Sequence, residues 1–173
     1  MRATSIRLVL IAFALLALGA TESPFAQGVF PGFSLNIKSA NDTVKVGEKV
    51  FLDITYRNIT NAPLQTGMSR PAELAYDVQI KGPGGEEPAE TEHGRRAHWK
   101  VPGHAPSWSE QSLTLSPGET FQQTIDVSGL YDMSQPGVYI ISVSKTVYRS
   151  SDDVKAHKGV TVKSNTVQVT VTN

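Results

Sequence analysis

The chain has 173 residues, carries 16 basic against 16 acidic side chains, and contains no cysteine. A domain that holds nucleic acid or anionic lipid usually carries a basic excess, so neither partner is indicated. Without cysteine there are no disulfides and no thiolate metal knuckles, and a fold of this size has to be held by its own core.

Residues 1–26 stand apart from the rest. Arg2 and Arg7 precede the apolar run Leu8 to Ala20, and small residues follow at Ala17, Gly19 and Ala20. That order is the charged n-region and apolar h-region of a secretory signal peptide. The run is 13 residues long, short of the roughly 20 that span a bilayer. Cleavage is expected somewhere between residues 19 and 26. Removing 1–26 takes out Arg2, Arg7 and Glu22 and leaves 14 basic against 15 acidic residues. The product is expected to be exported, periplasmic or secreted, with no membrane anchor. Lack of disulfides favours a bacterial source, and lack of cysteine excludes a lipid-modified N-terminus.

Residues 27–32 read as a linker, and the domain is expected over 33–173. Phe33 to Ser39 alternates, with Phe33, Leu35 and Ile37 on one face. After a turn at Asn41-Asp42 and another at Gly47-Glu48 comes a second clear strand, in which Val50, Leu52, Ile54 and Tyr56 share a face. Strict alternation of this kind puts one face in a core and the other in water. Asn58 to Pro63 is dense in turn formers. Asn58-Ile59-Thr60, like Asn41-Asp42-Thr43, also matches the glycan-acceptor pattern, and turn chemistry accounts for both. Gln65 to Glu73 shows no period and reads as loop. Leu74 to Lys81 reads as a strand carrying Leu74, Tyr76, Val78 and Ile80, closed by Gly82-Pro83-Gly84-Gly85.

Leu113 and Leu115 point inward before the turn Ser116-Pro117-Gly118-Glu119. Phe121, Gln123, Ile125 and Val127 then share a face, and one helical turn is expected within Ser128 to Gln135. From Pro136-Gly137 a strand runs to Tyr148, with Tyr139, Ile141, Val143 and Val147 together. Residues 150–159 read as a polar hairpin connection, and two short runs broken at Ser164-Asn165 finish the chain. Short alternating strands at regular spacing, with Gly and Pro turns and no long amphipathic helix, predict an all-β, two-sheet antiparallel sandwich of immunoglobulin-like type with about seven to nine strands.

The irregular loop over 86–110 has no such rationale. It holds both tryptophans, three of the four histidines and two adjacent arginines. Arginine and tryptophan dominate interface energetics, and loops on a rigid sandwich are where binding concentrates. Arg95, Arg96, His98, Trp99, His104 and Trp108 are therefore the candidate binding residues. Trp99 and Trp108 are also accounted for as caps over an open end of the sandwich. A short strand is expected near Ala97 to Val101, and no helix.

No catalytic residue, metal ligand or cofactor is indicated. The spacing of His93, His98 and His104 matches no zinc pattern. No serine sits in a G-x-S-x-G elbow, and no glycine-rich phosphate loop precedes a helix. Tyr139, just after Pro136-Gly137, reads as a tyrosine corner, with Tyr131 and Asp132 completing it; its role is structural.

The stretch LSPGETFQQTIDVSGLYDMSQPGVYIISV, from Leu115 to Val143, resembles the immunoglobulin-like domain that precedes the catalytic domain of deuterolysin-type (aspzincin) metallopeptidases. Pro117, Gly118, Glu119, Asp126, Ser128, Leu130, Tyr131, Asp132, Ser134, Pro136, Gly137 and Tyr139 carry the likeness. The HExxH of that family belongs to another domain, which this chain lacks, so no catalytic residue is implied. The chain is similar, more weakly, to BsuPI-type proteinase-inhibitor sandwiches. The resemblance implies a non-enzymatic module that binds a protein or cell-envelope component through loop 86–108, or alternatively an inhibitor presenting 93–108 to a protease.

Overall fold

A computed structural model describes residues 32–98, 100–103, 109–147, 155–156 and 159–173. The expected signal peptide and all but the last residue of the linker lie outside the described residues, as does most of the connection at 150–159.

Nine strands are formed among the described residues: β1 (Phe33–Ser39), β2 (Thr43–Lys45), β3 (Phe51–Asn58), β4 (Leu64–Arg70), β5 (Asp77–Lys81), β6 (Ser109–Leu115), β7 (Thr120–Asp126), β8 (Gly137–Val147) and β9 (Val160–Thr172). Two short helices, α1 (Glu92–Ala97) and α2 (Val127–Leu130), and a 3-10 turn over Ala72–Ala75 complete the list. One sheet has the order β1-β3-β7, the other β2-β9-β8-β5, and β4 and β6 pair as a separate ribbon. The protein is an all-β sandwich. One strand pair departs from the expected antiparallel rule, because β2 runs parallel to β9.

The core sits between the two main sheets. Leu35, Leu52, Ile54, Ile125, Ile141, Val143 and Val169 are essentially inaccessible, and Phe33, Tyr56 and Tyr139 are buried with them. Burying each such aliphatic or aromatic side chain contributes roughly 1.5–3 kcal/mol. Alternation along β1 and β3 supplies one wall in register, with Leu35 facing Tyr56 and Ile37 facing Ile54.

Four expectations about the chain's path are corrected. Gln65 to Glu73 is not loop: Leu64–Arg70 is a strand, paired with β6, and the 3-10 turn follows. Only Thr66 in it is buried and most of its neighbours are half-buried, so no alternation marks it. β5 starts at Asp77, and Leu74 belongs to the 3-10 turn. Ala97 to Val101 is not a strand: α1 occupies Glu92–Ala97, capped by Thr91 Oγ1, which accepts from the Gly94 N–H at 2.9 Å. Such a cap satisfies one of the orphan donors at a helix start. Finally, β9 continues unbroken through Ser164-Asn165, with a register irregularity opposite Ser142/Ser144. Ser164 Oγ repairs it by accepting from the Val143 N–H at 2.9 Å.

The corner before β8 is tightly tied. Tyr139 Oη donates to the Gln135 carbonyl at 2.8 Å, and Tyr131 Oη donates to the Val78 carbonyl at 3.0 Å. Asp132 accepts from the Ser134 N–H at 3.0 Å. Pro136 is exposed beside Gly137, whose φ of +139° favours glycine and where a Cβ would meet Pro83 at 2.6 Å.

Candidate functional site

β5 is the edge strand of the four-stranded sheet, and the chain after it folds back along that edge. Glu90 bridges to Tyr131, and the Asp132 N–H donates to the Ala89 carbonyl at 2.8 Å. This lays α1 against α2. The approach is close enough that a Cβ at Gly94 would meet the Leu130 carbonyl, while Ala97 is buried in the core. The folded-back segment and the 3-10 turn stand beside the outer face of β5 and β8, and a groove of about 1080 Å³ lies between them.

On the groove's floor Gln79, Ile140, Ser142 and Thr166 are uncharged, and on the same face of β5 Asp77 and Lys81 flank Gln79, with Lys81 opposite Ile140. Past Ile140, which pairs with Gln168, the same outer face continues through Val138, paired with Thr170. Val138 is 44% and Ile140 40% exposed, unusually open for aliphatic side chains on a strand. The wall is charged: Glu73, Glu87 and Glu90 line the groove with His98 and Lys100.

Within that wall, Glu90 is the hub. His98 Nδ1 lies 2.5 Å and Lys100 Nζ 2.8 Å from the same carboxylate oxygen, Glu90 Oε1. Burial alone would raise the Glu90 pKa, but the hydrogen bonds and positive charge of Lys100 and His98 outweigh it and hold the carboxyl below its ordinary value. An ionised carboxylate only accepts, so His98 Nδ1 carries the hydrogen of this pair. Its other ring nitrogen, Nε2, is buried without a hydrogen-bond partner. The ring packs beside Tyr131 with centroids 6.3 Å apart. Burial, then the charges of Glu87, Glu90 and Asp77, push the Tyr131 hydroxyl up to about 12.

Of the six candidate residues from the loop, the three that are described do not converge on one point. His98 turns into the groove wall. Arg95 is exposed, and its Nη1 donates to the Glu90 carbonyl at 3.0 Å, which braces the turn from behind. Arg96 is exposed and pairs with Glu92 one helical turn earlier. Trp99, His104 and Trp108 lie outside the described residues. His93 is exposed and rests on Glu73 at 3.3 Å. Among the described residues no group of three or more His, Asp or Glu side chains is placed to hold a metal ion.

Sequence reasoning stepped over Lys145. It lies on the alternating face of Tyr139, Ile141 and Val143, and a lysine in such a run is the signal that would have found it. Its ammonium sits 5.0 Å from the ring centre of Tyr56 and 5.4 Å from that of Tyr76.

No family model matches the chain, and no curated protein matches it. Among solved structures it is similar to a β-glucosidase of Listeria innocua in complex with isofagomine, at 16% identity and a TM-score of 0.39, covering 80% of this chain and 16% of that one. A β-glucosidase of Erythrobacter marinus gives 12% identity and a TM-score of 0.40, over 81% of this chain and 15% of that one. The CARDB domain of a Pyrococcus furiosus protein, in complex with di-metal ions, gives 16% identity and a TM-score of 0.39, over 83% and 90% of the two chains. The chain thus spans about 16% of the length of the Listeria β-glucosidase. Likenesses of this size do not reach function.

Proposed function

We propose that the chain is an exported, non-enzymatic sandwich module that binds a protein or cell-envelope partner in the groove beside β5. One observation carries the reading: a floor whose middle holds Gln79, Ser142 and half-open Ile140, with Val138 next to it, is bordered by charge at Asp77 and Lys81 and along the wall of Glu73, Glu90 and Lys100. Charge depleted at the centre and gathered at the rim is the composition of protein interfaces. The reading agrees with the accessory-domain resemblance of Leu115 to Val143. It moves the binding surface from the tip of loop 86–108 to the groove that the start of this loop walls. The inhibitor alternative is less well served, because proteases read extended segments and residues 93–97 are helical.

The test is affinity capture from cell-envelope extract with the wild type, Ile140→Asp, Lys100→Glu and, as a control on the opposite sheet, Arg57→Ala. A partner kept by the wild type and the control but lost with both groove variants supports the reading. A partner indifferent to both, with all variants melting like the wild type, sinks it.

A further inference from the structure

β5 has a neighbour on one side only, and its register with β8 shows which of its main-chain groups are left over. The Val143 N–H donates to Ser164 Oγ on β9 at 2.9 Å, so Val143 turns its main chain away from β5. Ser142 and Ser144, on either side of it, turn theirs toward β5, where they stand opposite Gln79 and Asp77. Asp77, Gln79 and Lys81 therefore carry the ladder, and Val78 and Ile80 aim their main chain outward. Two bonds on that outer side agree. Tyr131 Oη donates to the Val78 carbonyl at 3.0 Å, and the Gly82 N–H donates to the Glu86 carbonyl at 2.8 Å. The Val78 N–H and both main-chain groups of Ile80 have no hydrogen-bond partner among the described residues. The side chains of Val78 and Ile80 lie in the core, at 3% exposure each, yet both residues line the groove. It is their main chain that the groove reaches, and an open strand edge is a template for pairing.

We infer that the partner held in this groove, on the reading given above, is a protein bound through an extended basic segment that pairs with the outer edge of β5 as an added strand. Such a guest accepts from the Val78 and Ile80 N–H groups and donates to the Ile80 carbonyl. Main-chain bonds of this kind give affinity, and the side chains beside them give the selection. Glu73, Asp77, Glu87 and Glu90 line the groove against Lys81 and Lys100, four carboxylates to two ammonium groups, a net of −2 with His98 neutral. A segment alternating lysine or arginine with β-branched residues meets both demands. The cations answer the surplus of carboxylates, and β-branched side chains suit the extended form. A second copy of this chain fits less well, because the folded-back segment stands beside the edge and meets a whole sandwich before its own β5 arrives. A single extended strand needs only about 4.8 Å beside β5.

The isotope-labelled full chain is titrated with the peptide acetyl-Lys-Val-Lys-Val-Lys-Val-amide, and amide shifts and hydrogen exchange are followed residue by residue. The Val78 and Ile80 amides are expected to shift and to exchange about tenfold more slowly, while the Gln79 amide, already in the ladder, keeps its rate. The counterpart with glutamate in place of each lysine is expected to bind at least about tenfold more weakly. Shifts at Ile140 and Lys100 with unchanged exchange at Val78 and Ile80 would show the groove filled and its edge unused, which overturns the inference and leaves the groove reading standing. No shift at either set overturns it as well, whatever the envelope capture gives. A captured partner indifferent to Ile140→Asp and Lys100→Glu, with the two amides still protected by the basic peptide, sinks the groove reading and keeps the edge. Equal binding of the two peptides, or protection that rises with protein concentration and needs no peptide, removes the basic segment as the occupant.

Discussion

The side chain of Asn165 closes the open edge of β1 at Ile37. Its Oδ1 accepts from the Ile37 N–H at 2.8 Å, and its Nδ2 donates to the Ile37 carbonyl at 3.0 Å. One carboxamide thus does what a neighbouring strand would do, and it joins β9 of one sheet to β1 of the other. Replacing it by alanine leaves both main-chain groups without partners, at a cost of about 1–3 kcal/mol. Asn165→Asp keeps the acceptor and loses the donor, so it is expected to be no better. Urea denaturation of both variants checks the size, and amide exchange at Ile37 checks the place. Unchanged protection there with alanine at 165 would contradict the account.

Asn58 ties the end of β3 to the turn between β6 and β7. Its Nδ2 donates to the Ala62 carbonyl at 2.8 Å and the Leu115 carbonyl at 2.9 Å, while Oδ1 accepts from the Thr60 N–H at 2.9 Å and its hydroxyl at 2.8 Å. The residue is fully buried. Asn58→Ala is expected to lose about 2 kcal/mol or more, since several buried groups lose partners at once. Both amide hydrogens are engaged, so a glycan at Asn58 is incompatible with this fold. Expressed through a eukaryotic secretory pathway, the soluble, cooperatively melting product is expected to carry none at Asn58 by mass spectrometry.

Stability should depend on pH through the group under the ribbon. Lys145 has its folded pKa pushed down to about 8 from an ordinary 10.5, by burial. Between those values the unfolded chain holds more protons than the folded one, so stability rises with pH across that window. Tyr56 and Tyr76 act the other way: burial raises both above the ordinary 10.0, so the unfolded chain ionises first and stability falls as pH climbs past that value. The urea midpoint of the wild type is expected to climb from pH 8 and turn over near pH 10. Lys145→Met removes the climb and has a midpoint at pH 7 no lower than the wild type, because a desolvated cation is exchanged for an apolar chain. A climb that persists in Lys145→Met would assign it to other groups.

Strands with one face in the core were legible in the sequence, because burial and alternation are the same fact there. Val50, Leu52, Ile54 and Tyr56 alternate and are all buried in the same wall. β4 was not legible, since most of its residues are half-buried and follow no period, and of its largely exposed partner β6 only inward Leu113 and Leu115 were marked. Lys145 was hidden by its charge: its place in the inward run of β8 was masked by the assumption that lysines face water. The groove was only half legible. His98 was picked out for its residue type, but its partner Glu90 lies eight residues earlier, and a six-residue helix with one glycine in it brings the two together. Such a helix is too short to leave a hydrophobic period.

That glycine gives the sharpest test of how the groove wall is held. In an exposed helix, glycine to alanine is favourable by roughly 1 kcal/mol. At Gly94 the added methyl would run into the Leu130 carbonyl, which is main chain and already accepts from the Thr91 N–H at 2.9 Å. Neither partner can give way cheaply, so the sign reverses: Gly94→Ala is expected to destabilise the fold and lift α1 away from α2. Because Glu90, His98 and Lys100 hang on that contact, the displacement reaches the groove. Thermal melting reads the first effect, and the chemical shifts of the His98 ring read the second. Arg96→Ala, in the same helix but exposed and paired only with Glu92, serves as the control that leaves the His98 signals in place. An alanine at 94 that raises the melting temperature would show that α1 is not seated on α2 as described, and with it that the wall of the groove is not fixed by this contact.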